Sequence, residues 1–338
     1  MHSVRVFATL LIVGTCAAAA ADPHVVADAA YLHAQQRVEV EHGRRLNLYC
    51  LGRGTPTVVF ESGLTDETST WGLVQPAVAR NTRACSCDRA GVGFSDAGLR
   101  PASSQNIVDD LHRLLAAAKI KPPYILVSHS LGGVHAKLFA YLHRDEIAGL
   151  VFVDPSHEDQ REGYRLLDPR GLSPQQLQQL LEPGLNTRRT CAALAIYGFE
   201  PGTDAYKKCS FAHDAHYDEA INAVHVRIDM LPAFQNAQLS EEENMFTTNT
   251  AQLHAARRSL GDLPLIVLTE SPQPRGKTET QEQRDAKNRL WLSLNQDIAT
   301  LSTRGVDRVV AGAGHAIQFD QPQAVVDAIL EVLAAARR

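Results

Sequence analysis

The sequence is short of most features that would mark a specialised class of protein. It lacks a basic excess: 33 lysines and arginines stand against 38 aspartates and glutamates, a net charge of −5. That excludes the basic stripe of a nucleic-acid binder. Internal repeats and low-complexity tracts are missing, which removes solenoids and tethers. Beyond the first 21 residues no apolar run approaches the roughly 20 residues of a membrane-spanning helix, so no stable membrane insertion is expected. No cysteine spacing fits a structural zinc site, since Cys85-Ser86-Cys87 is too tight and has no matching second pair. A dinucleotide-binding fingerprint is absent too, so neither a cofactor nor a metal is expected. What remains is the composition of an ordinary globular protein, 44% hydrophobic and 21% charged.

The N-terminus reads as an address. Arg5, an apolar run over 6–13 and the small residues of 17–21 form a secretory signal, with Ala19-Ala20-Ala21 as the cleavage site before Asp22 and Pro23. A retained anchor is one alternative. Lipidation at Cys16 is another, though Thr15 before it fits poorly. Export to the periplasm or the medium is the expectation, and it changes what the cysteines mean. Loss of 1–21 leaves Cys50, Cys85, Cys87, Cys191 and Cys209 in an oxidising compartment, where disulfides persist. Cys191 and Cys209 lie in one segment and can close a loop. Cys50 ends one predicted strand, and Cys85 or Cys87 lies in another. Five is odd, and Cys87 is the expected free thiol. The alternative, five buried small hydrophobes, stays open.

From Val38 onward, strand and helix patterns alternate. Strands are predicted over 45–51 (RLNLYCL), 56–60 (PTVVF) and 83–87, then a helix over 104–118 with Ile107, Leu111, Leu114 and Leu115 on one face. Three unbroken apolar runs follow, at 124–127 (YILV), 149–153 (GLVFV) and 264–268 (PLIVL), with a shorter one at 308–310. Runs without alternation are strands buried on both faces. Helices fit over 132–143 and 322–335. The pattern predicts an α/β class with a mostly parallel sheet and helices on both faces. Length alone suggests two domains. The break in rhythm over 156–260 suggests instead one core, 38–155 and 261–338, interrupted by a helical cap.

The stretch 124–133, Y-I-L-V-S-H-S-L-G-G, runs a buried strand straight into a tight turn and a helix. This is the strand–turn–helix context of a nucleophile elbow at Ser130. The turn demands small residues two places before and after; Gly132 satisfies one side and Ser128 stands where glycine is usual. Together with TVVFESG, CSCDRAGVGFSD and GAGHAIQFDQPQAVVDAI, the motif resembles the α/β-hydrolase fold superfamily, in its lid-bearing esterase-like and lipase-like branch. The resemblance covers 38–333 and is far more specific for fold than for substrate.

The resemblance implies a catalytic histidine at His315, in the glycine-rich turn after the 308–310 strand. His129 is expected to point away from the reacting centre, and His213, His216 and His225 to be solvated or hydrogen-bonded. The acid has three candidates. Asp154 ends the GLVFV strand 24 residues after Ser130, as in some branches of the superfamily. Glu270 lies at the end of PLIVL, near Gln273 where an aspartate would usually fall. Asp285 is the third. Asp154 is preferred. The backbone N–H groups of Leu131 and Leu64 are the expected oxyanion donors, while Glu61 is expected to hydrogen-bond the loop backbone and the DRAGVGFSD loop to be architectural. An aspartate at the elbow serves dehalogenases and epoxide hydrolases of this fold, so Ser130 speaks against both. The expected activity is that of an exported serine hydrolase cleaving a small-molecule carboxylic ester through an acyl-enzyme. Perhydrolase and C–C bond hydrolase chemistry share the triad, and a non-catalytic binding protein is the reading from another class. Tyr164, Leu166, Tyr197, Phe211 and Phe234 either line the substrate pocket or fill the cap's own core.

Overall fold

The computed structural model describes residues 24–338 apart from 212, so the expected leader and Cys16 lie outside the described residues. Eight strands form one sheet: β1 (Gln36–Glu41), β2 (Arg44–Leu51), β3 (Thr57–Glu61), β4 (Ala84–Cys87), β5 (Tyr124–His129), β6 (Ile147–Val153), β7 (Leu265–Glu270) and β8 (Gly305–Val310). Their order is β1-β2-β4-β3-β5-β6-β7-β8. β2 runs antiparallel to both its neighbours, and from β4 to β8 every pairing is parallel. Parallel strands need crossover helices, and these cover both faces.

Residue alternation along β5 sorts the two cores. Tyr124 and Leu126 pack with α2 (Ser104–Ala117) and α3 (Gly132–Leu142), whereas Ile125 and Val127 face the opposite layer. That layer holds α1 (Gln75–Val78) and the C-terminal helix, which supplies Val325, Ile329 and Val332. Every β5 residue is buried. At about 25 cal/mol per Å² such burial is the main stabilising term.

After β6 the chain leaves the sheet and forms α4 (Gln160–Leu166), α5 (Pro174–Ala195), α6 (Asp204–Cys209), α7 (Glu219–Asp229), α8 (Pro232–Met245) and α9 (Thr248–Ala256) before returning as β7. Then come α10 (Gln281–Ala299), β8, α11 (Ile317–Asp320) and α12 (Pro322–Ala336). An ion network, buried at Lys137 and Glu158, ties this excursion to the core. Lys137 of α3, fully buried, pairs with Glu158; Glu158 pairs with Arg257 at 2.8 Å and Arg257 with Asp297 of α10 at 2.6 Å.

Two disulfides are present, Cys50–Cys85 and Cys191–Cys209, and Cys87 is a buried free thiol. The strand register decides between Cys85 and Cys87: Cys50 stands opposite Cys85, and Leu48 opposite Cys87. The second bridge ties α5 to α6. Among the described residues no helix is long and apolar enough to cross a membrane.

Candidate active site

In an open parallel sheet, ligands bind beyond the carboxyl ends of the strands where the strand order reverses. Here that point is the β3/β5 pair, because the chain moves outward from β3 to β4 and then back across to β5. The loops after β3, β5, β6 and β7 and the turn after β8 carry the residues of interest.

Ser130 follows β5 with a φ of +51°, and Asp154 follows β6 with a φ of +42°. Both are left-handed conformations that side chains other than glycine rarely adopt, and they cluster at functional sites. The Ser130 turn is crowded: a Cβ at Gly132 would lie 2.5 Å from the Glu61 carbonyl oxygen and 2.6 Å from that of Ser62. Ser128 is completely buried, so only a small side chain fits there as well.

The structure brings Ser130, His315 and Asp154 together. His315 Nε2 lies 2.9 Å from Ser130 Oγ, and His315 Nδ1 lies 2.6 Å from Asp154 Oδ2. The other carboxylate oxygen of Asp154 accepts from the Glu270 backbone N–H at 2.9 Å and from Trp291 Nε1 at 2.8 Å. Asp154 is fully buried, and each of its carboxylate oxygens has a partner. Burial disfavours a charged His315. The hydrogen bond and charge of Asp154, helped by Glu270 and Asp66, outweigh it and raise the imidazole above its ordinary value. Such a relay can take a proton from a hydroxyl and keep the resulting imidazolium stable.

Glu270 makes no direct bond to His315 Nδ1. Its half-buried carboxyl is pushed up to about 7, first by burial and then by the charge of Asp154. Asp285 is bonded to Gln281 on the exposed surface of α10, away from the cluster.

The peptide groups of Leu64 and Leu131 are held from behind. Among the described residues neither N–H has a hydrogen-bond acceptor. The Ser130 carbonyl, in the same peptide plane as the Leu131 N–H, accepts from Ser156 N at 2.8 Å and from Gly133 N at 2.9 Å. The Gly63 carbonyl, paired in the same way with the Leu64 N–H, accepts from Arg89 Nη2 at 2.5 Å. Planar trans peptides make each carbonyl bond an orientation of the N–H on its far side.

Three expectations need correction. Glu61 does not bond the loop backbone: its carboxylate pairs with Arg89 Nη1 at 2.9 Å, and Arg89 also pairs with Glu241 of α8 at 2.7 Å. Two buried carboxylates need a cation, and the guanidinium serves both while also fixing the Ser62 and Gly63 carbonyls. His129 does not point away. Its ring packs 4.8 Å from that of His315, and its Nε2 bonds the His315 carbonyl at 3.0 Å. The tight turn leaves it lying beneath the β8 turn. Of the apolar residues between β6 and β7, Tyr197 is 82% exposed and Leu166 67%, so neither lines a pocket nor fills a core.

Of the remaining histidines, His213 bonds Glu219 and His216 bonds Asp214, whereas His225 is half-buried against Ser69. His112, His143 and Glu146 converge at the far end of α3 from Ser130. Sequence reasoning missed Trp291 and the double role of Arg89. Arg89 carried a weak signal, as a charged residue inside a glycine-rich loop directly after a buried strand.

A mostly parallel eight-stranded sheet bearing a strained serine turn, a histidine after the last strand and a carboxylate between them defines a hydrolase-type scaffold. The chain belongs to the alpha/beta hydrolase family, whose family model matches residues 58–328. It is 26% identical to the uncharacterized protein YqjL of Bacillus subtilis (strain 168), over 84% of this chain and 86% of that protein. Among solved structures, the epoxide hydrolase CorEH aligns with a TM-score of 0.58 at 20% identity, covering 89% of this chain and 98% of that one. A protein of Pseudomonas aeruginosa PAO1, named for hydrolytic activity, aligns with a TM-score of 0.59 at 16% identity over 89% and 93%. These structural likenesses establish the fold, and the family membership marks the chain as a hydrolase.

Proposed function

We propose that the protein is a serine hydrolase that cleaves a carboxylic ester of a small molecule through an acyl-enzyme. The observation that carries this reading is the unbroken relay from Ser130 Oγ through His315 to Asp154. Ser130 attacks the ester carbonyl carbon while His315 Nε2 takes the hydroxyl proton, and Asp154 stabilises the imidazolium. The tetrahedral oxyanion is met by the N–H groups of Leu131 and Leu64, whose orientation the Ser156 and Arg89 bonds fix. His315 then gives its proton to the departing alkoxide. Water, deprotonated by the same imidazole, releases the acid and regenerates Ser130. A hydroxyl at the turn favours acyl transfer over the epoxide opening for which CorEH is named.

The helices between β6 and β7 are read as a cap over the site, covering 156–260. Two disulfides and the signal-like first 21 residues support export. The test is covalent labelling with a fluorophosphonate together with a p-nitrophenyl ester series of increasing chain length. Labelling is expected in the parent and absent from Ser130→Ala, with ester turnover in Ser130→Ala reduced at least a thousandfold. Folded protein that neither labels nor turns over any ester would sink the reading.

A further inference from the structure

Beside the proposed oxyanion loop lies a second space, a cavity of about 170 Å³ between the 64–69 segment and α7. It shares Leu64 with the proposed oxyanion hole. Asp66 joins the two: it lines the cavity, and its Oδ2 lies 3.5 Å from His129 Nδ1, the ring packed at a tilt against His315. The lining is acidic and aromatic, with Glu67 and Asp229 alongside the rings of Tyr217 and Phe234, and no lysine or arginine contributes.

One side chain makes this more than a cluster of acids. Asp229 is only 6% exposed, and its carboxylate has neither a hydrogen bond nor an ion pair among the described residues. Glu67 is 8% exposed, and its nearest opposite group is His225 Nε2 at 3.4 Å. Burial drives that imidazole down to about 4, so it is neutral and supplies no counter-charge. Burial likewise pushes Asp229 up to about 7, and it raises Glu67 too, with the neighbouring carboxylates adding to the effect. A largely buried carboxyl without a partner is held in its neutral form unless a cation answers it.

We propose that this cavity receives a positively charged nitrogen of the substrate, an ammonium or methylated ammonium group, and so selects cationic esters. The aromatic walls suit such a group, because a desolvated cation is attracted to ring faces. A metal ion is a poorer occupant. Among the described residues the only three-member group with ligand atoms within 4.8 Å of one another is His112, His143 and Glu146, so the acids of this cavity do not converge on one point. Spread carboxylates against rings match an organic cation.

The inference rests on the serine-hydrolase reading, and its test separates the two. Butyrylthiocholine is compared with its neutral isostere S-(3,3-dimethylbutyl) thiobutyrate, and 4-nitrophenyl 4-(trimethylammonio)butanoate with 4-nitrophenyl 5,5-dimethylhexanoate. In the parent enzyme kcat/KM for the cationic member of at least one pair is expected to exceed its isostere at least tenfold. That ratio is expected to fall at least tenfold in Asp229→Asn and in Glu67→Gln, each checked for folding by circular dichroism. Calorimetry with tetramethylammonium chloride, against potassium chloride, reads the cavity without catalysis; heat of binding is expected in the parent and lost in Asp229→Asn. Ratios within twofold for both pairs and no tetramethylammonium binding would overturn the inference while leaving an ester-cleaving, fluorophosphonate-labelled enzyme intact. A ratio unchanged in well-folded Asp229→Asn would overturn it as well. If Ser130 fails to label, the hydrolase reading falls and the calorimetry alone decides the cavity.

Discussion

Glu270, outside the proposed relay, is placed to tune its working pH. Its charge is one of the influences raising His315. A base must be neutral to accept a proton, so activity is present above the folded-state value of His315 and lost below it. In Glu270→Gln one raising charge is gone, and the acid limb of kcat/KM is expected to move to lower pH. A profile from pH 5 to 9 reads this, and an unmoved limb would show that Glu270 does not act on the imidazole. At this scale the sequence was informative where chemistry and local geometry coincide. Ser130 and His315 sit in turns whose glycines are visible in the sequence, and Asp154 is where an apolar run meets an acid. Trp291 gave no such signal, because its bond to Asp154 spans 137 positions and arises only when α10 packs on β7.

Among the elements, the buried strands were legible and the edges were not. β5, β6 and β7 are apolar runs because water reaches neither of their faces. β1 (QRVEVE) is an edge strand with a single buried residue, and nothing in its composition demanded a sheet. The C-terminal edge strand β8 is likewise longer than the RVV run, starting at Gly305. α10 escaped notice because its sequence is mostly polar, with Trp291, Asn295, Ile298 and Ala299 as its buried residues. The contact between α3 and Glu158 carries its own prediction. Lys137→Met leaves Glu158 buried with Arg257 and His157, and losing one partner of a buried pair costs about 3–5 kcal/mol. A fall in Tm of several degrees or more is expected, and an unchanged Tm would show the network to be energetically neutral. The pH sign follows from Glu158. Burial raises its pKa, but the charge and hydrogen bond of Lys137 outweigh that and hold it at about 2. The contribution is therefore complete above the unfolded carboxylate value of about 4.3 and is lost as pH falls toward 2.

For the whole molecule, the chain leaves one eight-stranded sheet after β6 and returns to it as β7, and the proposed single interrupted core rests on that path. Strand order and the cradle around Asp154 were beyond reach of the sequence, since both depend on which crossover lands where. The cysteines were legible as two bridges and a free Cys87, and the β2/β4 register gives the reason, with Cys50 opposite Cys85. The Cys191–Cys209 bridge spans 18 residues, a loop for which chain entropy gives roughly 3 kcal/mol. In a Cys191→Ala, Cys209→Ala variant, amide exchange is expected to accelerate in α5 and α6 and to stay unchanged in β5 and β6. Equal acceleration in the sheet would mean that the excursion and the core unfold together.

The Ser156 N–H that bonds the Ser130 carbonyl has an implication for redesign. The proposed nucleophile and acid directly follow β5 and β6 and are stapled to each other by the first residue of the excursion, whereas the proposed base follows β8. The spacing of Ser130 and Asp154 is therefore fixed locally, by a single residue of the segment threaded between β6 and β7. On the proposed cap reading, another segment could be spliced between the ends of β6 and β7, provided it keeps Ser156 and supplies acidic partners for Lys137 and Arg89. A new substrate range could thus be grafted on without redrawing the reacting atoms.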